Sequence, residues 1–196
     1  MESNASSYEF MAEPFHCDFS HHLFLGHLGN HLLNASDFHS DEHDFGVVYL
    51  NKINAAWVLS RLAIEMNEMP REYDKFTIET WVENVYRFFT NRNYAIQGLD
   101  GKVYGYARSI WAMSDKNSRQ PVDLLSIRGG AINEYMIPEK QVPIDKPSRV
   151  KMSDAAEIAG SVVAKYCDLD LNGHVNSVKY IEHILDLFPK DTYQKN

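Results

Sequence analysis

The chain has 196 residues, of which 44% are hydrophobic and 23% are charged, and 27 acidic against 19 basic side chains give a formal net charge of −8. This composition is typical of a globular protein with a substantial core, and it excludes a disordered, collagen-like or coiled-coil chain. No window approaches the roughly 18 uninterrupted apolar residues of a membrane helix, and the first residues lack the basic start and apolar centre of a signal peptide. We therefore expect a soluble, cytoplasmic protein with no membrane partner.

The charge is unevenly distributed along the chain. Residues 1–70 carry −8, residues 71–151 carry +3 and residues 152–196 carry −3. The weakly basic segment 71–151 carries too little positive charge to indicate nucleic-acid binding, so we exclude nucleic acid as a partner. It remains compatible with an acidic protein partner.

Two cysteines, Cys17 and Cys167, are too few for a disulfide framework and lack metal-ligand spacing. We expect both to be small buried hydrophobic residues.

The first part of the chain predicts one strand, one long helix and several further strands. Residues 8–19 favour a strand interrupted by Pro14, and residues 22–38 favour an amphipathic helix. Gly26 and Gly29 would let this helix pack closely against a sheet. Strands are then predicted over residues 55–66, 76–89, 93–97 and 102–113, the last two joined by the Asp-Gly turn at 100–101. This order predicts an α+β unit in which a curved antiparallel sheet wraps a central helix.

The second part predicts a repeat of the same pattern. Residues 121–151 contain four prolines and no sustained period, which indicates a linker. Residues 157–166 favour a strand. The helix that follows presents an apolar face formed by Val178, Ile181, Leu185 and Phe188.

The segment most suggestive of chemistry is the D-x-N-x-H motif formed by Asp170, Asn172 and His174. An extended backbone would point these three side chains the same way, next to a helix N-terminus that can stabilise an oxyanion. A carboxylate, an amide and an imidazole suit acyl transfer to water. The alternative is structural: Asp170 and Asn172 would cap the helix while His174 bonds locally.

The whole of residues 168–180 closely resembles the signature of acyl-acyl-carrier-protein thioesterases, the plant-type hydrolases that terminate fatty-acid synthesis, and of their bacterial relatives. Further matching strings occur in the family's order and approximate spacing at residues 45–46, 54–61, 69–70, 80–82, 92, 100–101 and 109–113. The resemblance therefore extends over nearly the whole chain. The resemblance implies a tandem hotdog fold, with an N-terminal unit over residues 1–120, a linker over 121–151 and the start of a C-terminal unit over 152–196.

The resemblance also implies a function, which is hydrolysis of fatty acyl thioesters carried on acyl carrier protein in fatty acid biosynthesis, with neither a metal nor an organic cofactor. The matching positions make Asp170, Asn172 and His174 the catalytic candidates. Family members continue into further strands that carry another catalytic-region segment. We therefore expect the second unit to be incomplete at Asn196, which leaves the activity of this chain by itself open.

Other side chains are weaker candidates. Candidate substrate-binding residues are Trp57, Arg61, Trp81, Trp111 and Asn176. Core filling is the alternative for the tryptophans, and the acyl tunnel could also include Phe24, Leu28, Leu32, Met66 and Met113. Basic residues available to meet a carrier protein are Arg61, Arg92, Arg119, Arg128, Lys146, Arg149 and Lys151.

His27 and His31 have the i, i+4 spacing of metal ligands, but no cysteine pair or HExxH pattern accompanies them, so we expect no metal and ordinary solvent-facing or helix-end histidines. Two alternative functions stay open: a non-catalytic hotdog module that binds acyl thioesters or fatty acids, and a hydroxyacyl-thioester dehydratase. A homodimer also stays open.

Overall fold

The structure, a computed structural model, describes residues 4–193. The strands are β1 (Ser6–Met11), β2 (Ala55–Met66), β3 (Lys75–Val85), β4 (Phe89–Gly98) and β5 (Val103–Asp115), and the α-helices are α1 (Leu25–Glu42), α2 (Val47–Lys52) and α3 (Ser177–Leu185). The five strands form one antiparallel sheet in the order β1-β3-β4-β5-β2. The strands β1 and β2 therefore lie at its edges.

One face of this sheet packs on α1. Because Leu28, Leu32 and Ala35 recur at helical spacing, they form one apolar stripe, and all three are fully buried. The stripe contacts alternate residues of the sheet, namely Phe76, Ile78, Tyr94, Ile96 and Ala107. The predicted α+β unit, a helix covered by an antiparallel sheet, is confirmed.

Several predicted boundaries were wrong. The first strand ends at Met11, and a short 3-10 turn, Pro14–His16, follows it. Helix α1 begins and ends a few residues later than predicted, and α2 was missed because its Val-Val-Tyr start is typical of a strand. The predicted strand over 76–89 is divided between β3 and β4. The predicted strand over 55–66 has the bounds of β2.

The predicted linker is more ordered than its prolines suggested. Residues 124–135 form 3-10 turns, in which Leu124, Ile127 and Ile132 are buried against Phe45 and Met113. Farther along, Val142 is buried against Trp81 and Ala95 on the opposite face of the sheet from α1.

The C-terminal part contains helix α3 but not the strand predicted over 157–166. Residues 153–166 are exposed and make no ladder with the sheet. A strand forms only where a neighbouring strand satisfies its backbone groups, and none of the described strands is placed to do so.

Gly26 and Gly29 do pack closely, but against α3 rather than a sheet. A Cβ built on Gly29 would lie 2.9 Å from Cγ2 of Val178, and one on Gly26 would clash with Glu182. The expectation of helix-on-sheet contact at these glycines was therefore wrong.

Among residues 4–193, no helix is both long and apolar enough to cross a membrane.

Candidate active site

A cavity of about 290 Å³ lies along the edge strand β2, between the first unit and the segment that precedes α3. One wall is largely apolar and includes Leu33, Leu50, Trp57 and Trp111. The opposite wall is the D-x-N-x-H segment, from which Asp170, Asn172 and His174 all contribute. The predicted catalytic residues therefore share one cavity wall and face apolar side chains of the first unit across the cavity.

The backbone of the motif is a closed loop, not the extended approach that the alternation predicted. Leu169 and Val175 form an isolated antiparallel bridge, and the amide of Asp170 donates to the carbonyl of His174 at 2.7 Å. Gly173 makes the reversal with a φ of 75°, which a side-chain-bearing residue rarely adopts. The three side chains consequently come together through a turn rather than through a strand period.

The Asp170 carboxylate holds this loop closed. Its Oδ1 accepts from the amide of Asn172 at 2.8 Å and from the amide of His174 at 3.1 Å. Its Oδ2 takes part in neither bond and is the oxygen left for a proton, a water or an acyl carbon. Neither Asp170 nor Asn172 caps α3, so the structural alternative for these residues was wrong in that respect.

Asn176 is the residue that caps α3. Its Oδ1 accepts from the amide of Val178 at 3.0 Å, and its Nδ2 donates to Oδ1 of Asn30 on α1 at 3.2 Å. The cap satisfies an otherwise free amide at the start of the helix. Asn176 therefore fixes the motif to both helices at the cavity wall.

Asn172 carries an unsatisfied acceptor. Its Oδ1 is buried and has no hydrogen-bond partner among the described residues, although the residue lines the cavity. A buried polar atom without a partner is costly unless water or a ligand bonds to it. This amide is therefore the part of the loop that most clearly calls for a bound polar group.

Arg119 contacts the imidazole of His174. Its Nη1 lies 2.5 Å from Nε2 of His174, and a guanidinium can only donate, so Nε2 is the acceptor. In the neutral ring the proton then sits on Nδ1. The turn that carries Arg119 is rigid because Oδ1 of Asp115 accepts from the amides of Asn117 and Ser118. These bonds, that of the Ser118 amide above all, lower the pKa of the Asp115 carboxyl.

A polar stripe on α1 forms another part of the cavity wall and was missed by the sequence reasoning. Asn30, Asn34 and Asp37 all line the cavity. Burial raises the pKa of the Asp37 carboxyl, whose Oδ1 accepts from the amide of Val47 at 3.1 Å. The signal was present, because i, i+4, i+7 spacing of polar residues on a helix expected to be enclosed by a sheet indicates a face turned to something other than the core.

A smaller cavity of about 70 Å³ lies inside the first unit and shares Leu33, Trp57 and Trp111 with the larger one. Arg92 lines it; the guanidinium is buried and bonds to the hydroxyls of Thr80 and Ser40, each at 3.2 Å. Arg92 therefore cannot meet a carrier protein at the surface.

The candidate substrate-binding residues are divided by the structure. Trp57, Trp111 and Asn176 line the larger cavity, whereas Arg61 and Trp81 do not. The indole of Trp81 lies under the linker and donates to the carbonyl of Lys140 at 2.9 Å. The proposed tunnel residues Leu28, Leu32 and Met113 fill the core instead, and Phe24 and Met66 do not line either cavity.

The remaining predicted side chains are placed as follows. Cys167 is exposed and Cys17 is half-buried, so the expectation of two buried thiols was wrong. Lys146 pairs with the buried Glu83, and Arg128 pairs with Asp44. Arg149 and Lys151 are exposed.

A helix enclosed by a curved antiparallel sheet is the hotdog fold, and comparison with known proteins identifies the family. The model of the acyl-ACP thioesterase N-terminal domain matches residues 5–126, and that of the acyl-ACP thioesterase C-terminal domain matches residues 151–196. The chain belongs to the acyl-ACP thioesterase family, as its motifs predicted.

Similar proteins include both bacterial and plant members. A crystal structure of an acyl-ACP thioesterase from Bacteroides thetaiotaomicron is 53% identical with a TM-score of 0.87, over 98% of this chain and 76% of that one. The oleoyl-acyl carrier protein thioesterase 2 of Arabidopsis thaliana, a chloroplastic protein, is 29% identical over 72% of this chain and 41% of its own length. The 12:0-ACP thioesterase of Umbellularia californica, at 19% identity and a TM-score of 0.79 over 97% of this chain and 73% of that one, supports the fold alone. The chain spans less than half the length of the curated relatives it matches.

Proposed function

We propose that the chain provides the acyl-binding unit and the start of the catalytic unit of an enzyme that hydrolyses fatty acyl thioesters of acyl carrier protein. The observation that carries this proposal is the shared cavity, in which the D-x-N-x-H loop faces an apolar wall of the first unit. A hydrolase of this kind needs an apolar surface for the acyl chain and polar groups at the thioester end. We propose further that residues 1–120 shelter the acyl chain, residues 121–151 link the units, and residues 152–196 bring the motif.

In the proposed reaction, water adds to the thioester carbonyl carbon and the carbon–sulfur bond breaks to give a fatty acid and a carrier-protein thiol. Oδ2 of Asp170 takes a proton from the attacking water, and Nδ1–H of His174 donates a proton to the leaving sulfur. The proton on Asp170 then returns to His174. The amide of Asn172 holds the carbonyl or the water through the acceptor and donors of its side chain. The chemistry as proposed uses neither a metal nor an organic cofactor.

Acyl carrier protein, being acidic, is the proposed partner of the weakly basic middle of the chain. The candidate contacts that the structure leaves exposed are Arg119, Arg128, Lys146, Arg149 and Lys151. Action in the cytoplasm and assembly as a homodimer stay predictions from the sequence.

The test is thiol release from a panel of acyl-carrier-protein substrates of different chain length. Asp170→Asn keeps an Oδ1 that can accept from the amides of Asn172 and His174, so the loop is retained while the carboxylate is lost. We expect hydrolysis to fall by about 100-fold or more. Asp186→Asn, at the exposed C-terminal end of α3, is the matched control and is expected to hydrolyse at the wild-type rate.

Near-wild-type hydrolysis by Asp170→Asn would remove the carboxylate from the mechanism. Saturable binding of acyl thioesters without thiol release would favour the non-catalytic module. Mass analysis of the products separates hydrolysis from dehydration, because only dehydration leaves the thioester intact and lighter by one water.

A further inference from the structure

A group of histidine and carboxylate side chains lies outside the candidate active site, where the segment after β1 crosses α1. Glu13 precedes the 3-10 turn Pro14–His16, and His31 lies in the middle of α1. One ligand atom from each of Glu13, His16 and His31 lies within 4.8 Å of the others. Within the described residues, this is the one such group of three. We propose that these three side chains bind a divalent cation of the Zn²⁺ type, with a fourth ligand position open to water.

The ligand set and its separations fit this cation. Two imidazoles and one carboxylate are a common donor set for Zn²⁺, which binds nitrogen and oxygen at about 2.0–2.1 Å. Tetrahedral ligands at that distance lie roughly 3.3 Å from one another. Nδ1 of His16 and Oε2 of Glu13 are already 3.0 Å apart. Closure around the ion then requires only rotation of the half-exposed side chains of Glu13 and His16 toward His31.

The imidazole of His31 gives a second, independent reason to expect a ligand at this site. Its Nε2 is buried and has no hydrogen-bond partner in the part of the chain that the structure describes. The ring is held between two phenyl groups, with centroids 4.6 Å from that of Phe10 and 5.8 Å from that of Phe76. A fixed imidazole with a buried, unused nitrogen is costly unless that nitrogen binds something. The two aromatic rings also exclude water from one side of the site, which strengthens binding of a cation by the carboxylate.

The turn that carries Glu13 and His16 is held against the start of α1 by two contacts. The ring of His27 stacks on that of His16, with centroids 4.0 Å apart and an angle of 16° between the planes. The turn is tied to the start of α1 because the amide of Phe24 donates to the carbonyl of His16 at 2.9 Å. Bound metal would therefore link the turn to α1 across the side of the helix and stabilise the packing of the N-terminal segment.

The test is calorimetric titration of the metal-free chain with ZnCl₂, together with thermal unfolding with and without Zn²⁺. We expect one ion per chain, a higher Tm with the metal and reversal of that rise by EDTA. Glu13→Gln, His16→Gln and His31→Gln should each weaken binding by about 100-fold or more. His21→Asn is the control, since His21 is exposed, lies near the same segment and is not part of the group.

If His31→Gln fails to fold, Glu13→Gln and His16→Gln still test the proposal. The side chains of Glu13 and His16 are 48% and 40% exposed and contribute little to the core, so these variants should fold. Absence of binding by the wild-type chain at millimolar Zn²⁺ would overturn the proposal. So would binding that Glu13→Gln and His16→Gln leave unchanged, which would indicate adventitious binding by the other histidines.

Discussion

Gly29 of α1 and Val178 of α3 meet where the first unit contacts the C-terminal helix. Val178 is fully buried, and a Cβ added at Gly29 would lie 2.9 Å from its Cγ2, closer than ordinary packing allows. The missing side chain at position 29 is therefore what lets the two helices approach. The same approach brings Asn176 to Asn30 and places the D-x-N-x-H loop on the cavity wall.

A double-mutant cycle tests this contact. Ala at position 29 favours the helix by about 1 kcal/mol relative to Gly, but its methyl group collides with Val178. We expect Gly29→Ala alone to give less than this gain or to destabilise the protein, and Val178→Ala alone to cost about 2 kcal/mol. In the double variant the collision is removed, so the full gain of Ala should return. Urea denaturation of the four proteins gives the coupling free energy.

The expected coupling is favourable and exceeds the scatter of about 0.5 kcal/mol seen for independent sites. Additive free energies within that scatter would contradict the contact. Proteolysis within α3 provides a second readout, because loss of the contact should expose this helix to cleavage earlier in Gly29→Ala.

The buried imidazole of His39 predicts a dependence of stability on pH. Burial of the ring is the main cause that lowers the pKa of His39 from 6.5 to about 3, and the positive charge of Arg92 is the second cause. In the unfolded chain the ring has an ordinary pKa, so between pH 3 and 6.5 the unfolded state binds the extra proton. The free energy of unfolding should therefore be fully retained above about pH 6.5 and fall below it, by up to about 1.4 kcal/mol per pH unit.

Denaturation at several pH values checks this prediction. The groups that face the ring are the guanidinium of Arg92, the imidazole of His43 and the carbonyl of Asn4, to which Nε2 donates at 3.0 Å. His39→Gln keeps a donor but does not titrate, so its stability should vary less between pH 4 and 7. His21→Asn, at an exposed histidine, should keep the wild-type slope; equal slopes in all three proteins would contradict the assignment.

The sequence predicts the first unit well because its pattern is strong. Alternation over residues 77–83 defines β3, the Asp-Gly turn defines the hairpin from β4 to β5, and the apolar stripe defines α1. The predicted strand at 157–166 fails for a physical reason, since residue preference favours a strand but only a neighbouring strand can satisfy its backbone.

The motif shows a different limit. Asp170, Asn172 and His174 can be identified from their spacing alone, but that spacing implied an extended backbone. The Asn-Gly pair at 172–173, which makes the turn, was the better guide to the backbone. Proximity between distant segments, such as Arg119 to His174 and Glu13 to His31, depends on how the chain folds back and leaves no local sequence pattern. The family resemblance supplies the missing information only at positions where this chain has the same residues as the family.

The buried ion cluster on the outer face of the sheet predicts a role for Glu83 in holding the linker. Its carboxylate, 2% exposed, lies 3.2 Å from Nη1 of Arg108 and 3.0 Å from Nζ of Lys146. Although burial raises the pKa of Glu83, bonds from Lys146 and Asn93 and the charge of Arg108 lower it overall. Glu83→Gln leaves the guanidinium of Arg108 buried without its counter-charge, and we expect a loss of about 3–5 kcal/mol in unfolding free energy.

Urea denaturation measures that loss, and protease cleavage near residue 146 should become faster in Glu83→Gln. Glu68→Gln is the control, because Glu68 pairs with Lys102 at the surface, where such pairs contribute less than about 1 kcal/mol. Similar losses in the two variants would show that burial of the Glu83 cluster does not decide its contribution.

The contact between Arg119 and His174 separates two roles for a basic side chain near the active site. If Arg119 positions the imidazole, Arg119→Ala should lower kcat by about 10- to 100-fold on both carrier-protein and small acyl thioesters, because the ring loses its fixed orientation. Arg119→Gln retains a side-chain donor for Nε2 and should keep more activity than Arg119→Ala. If Arg119 instead docks the carrier protein, both variants should raise KM for carrier-protein substrates only.

Lys151→Ala is the control for these variants. It removes an exposed positive charge distant in sequence from the turn and should leave kcat unchanged.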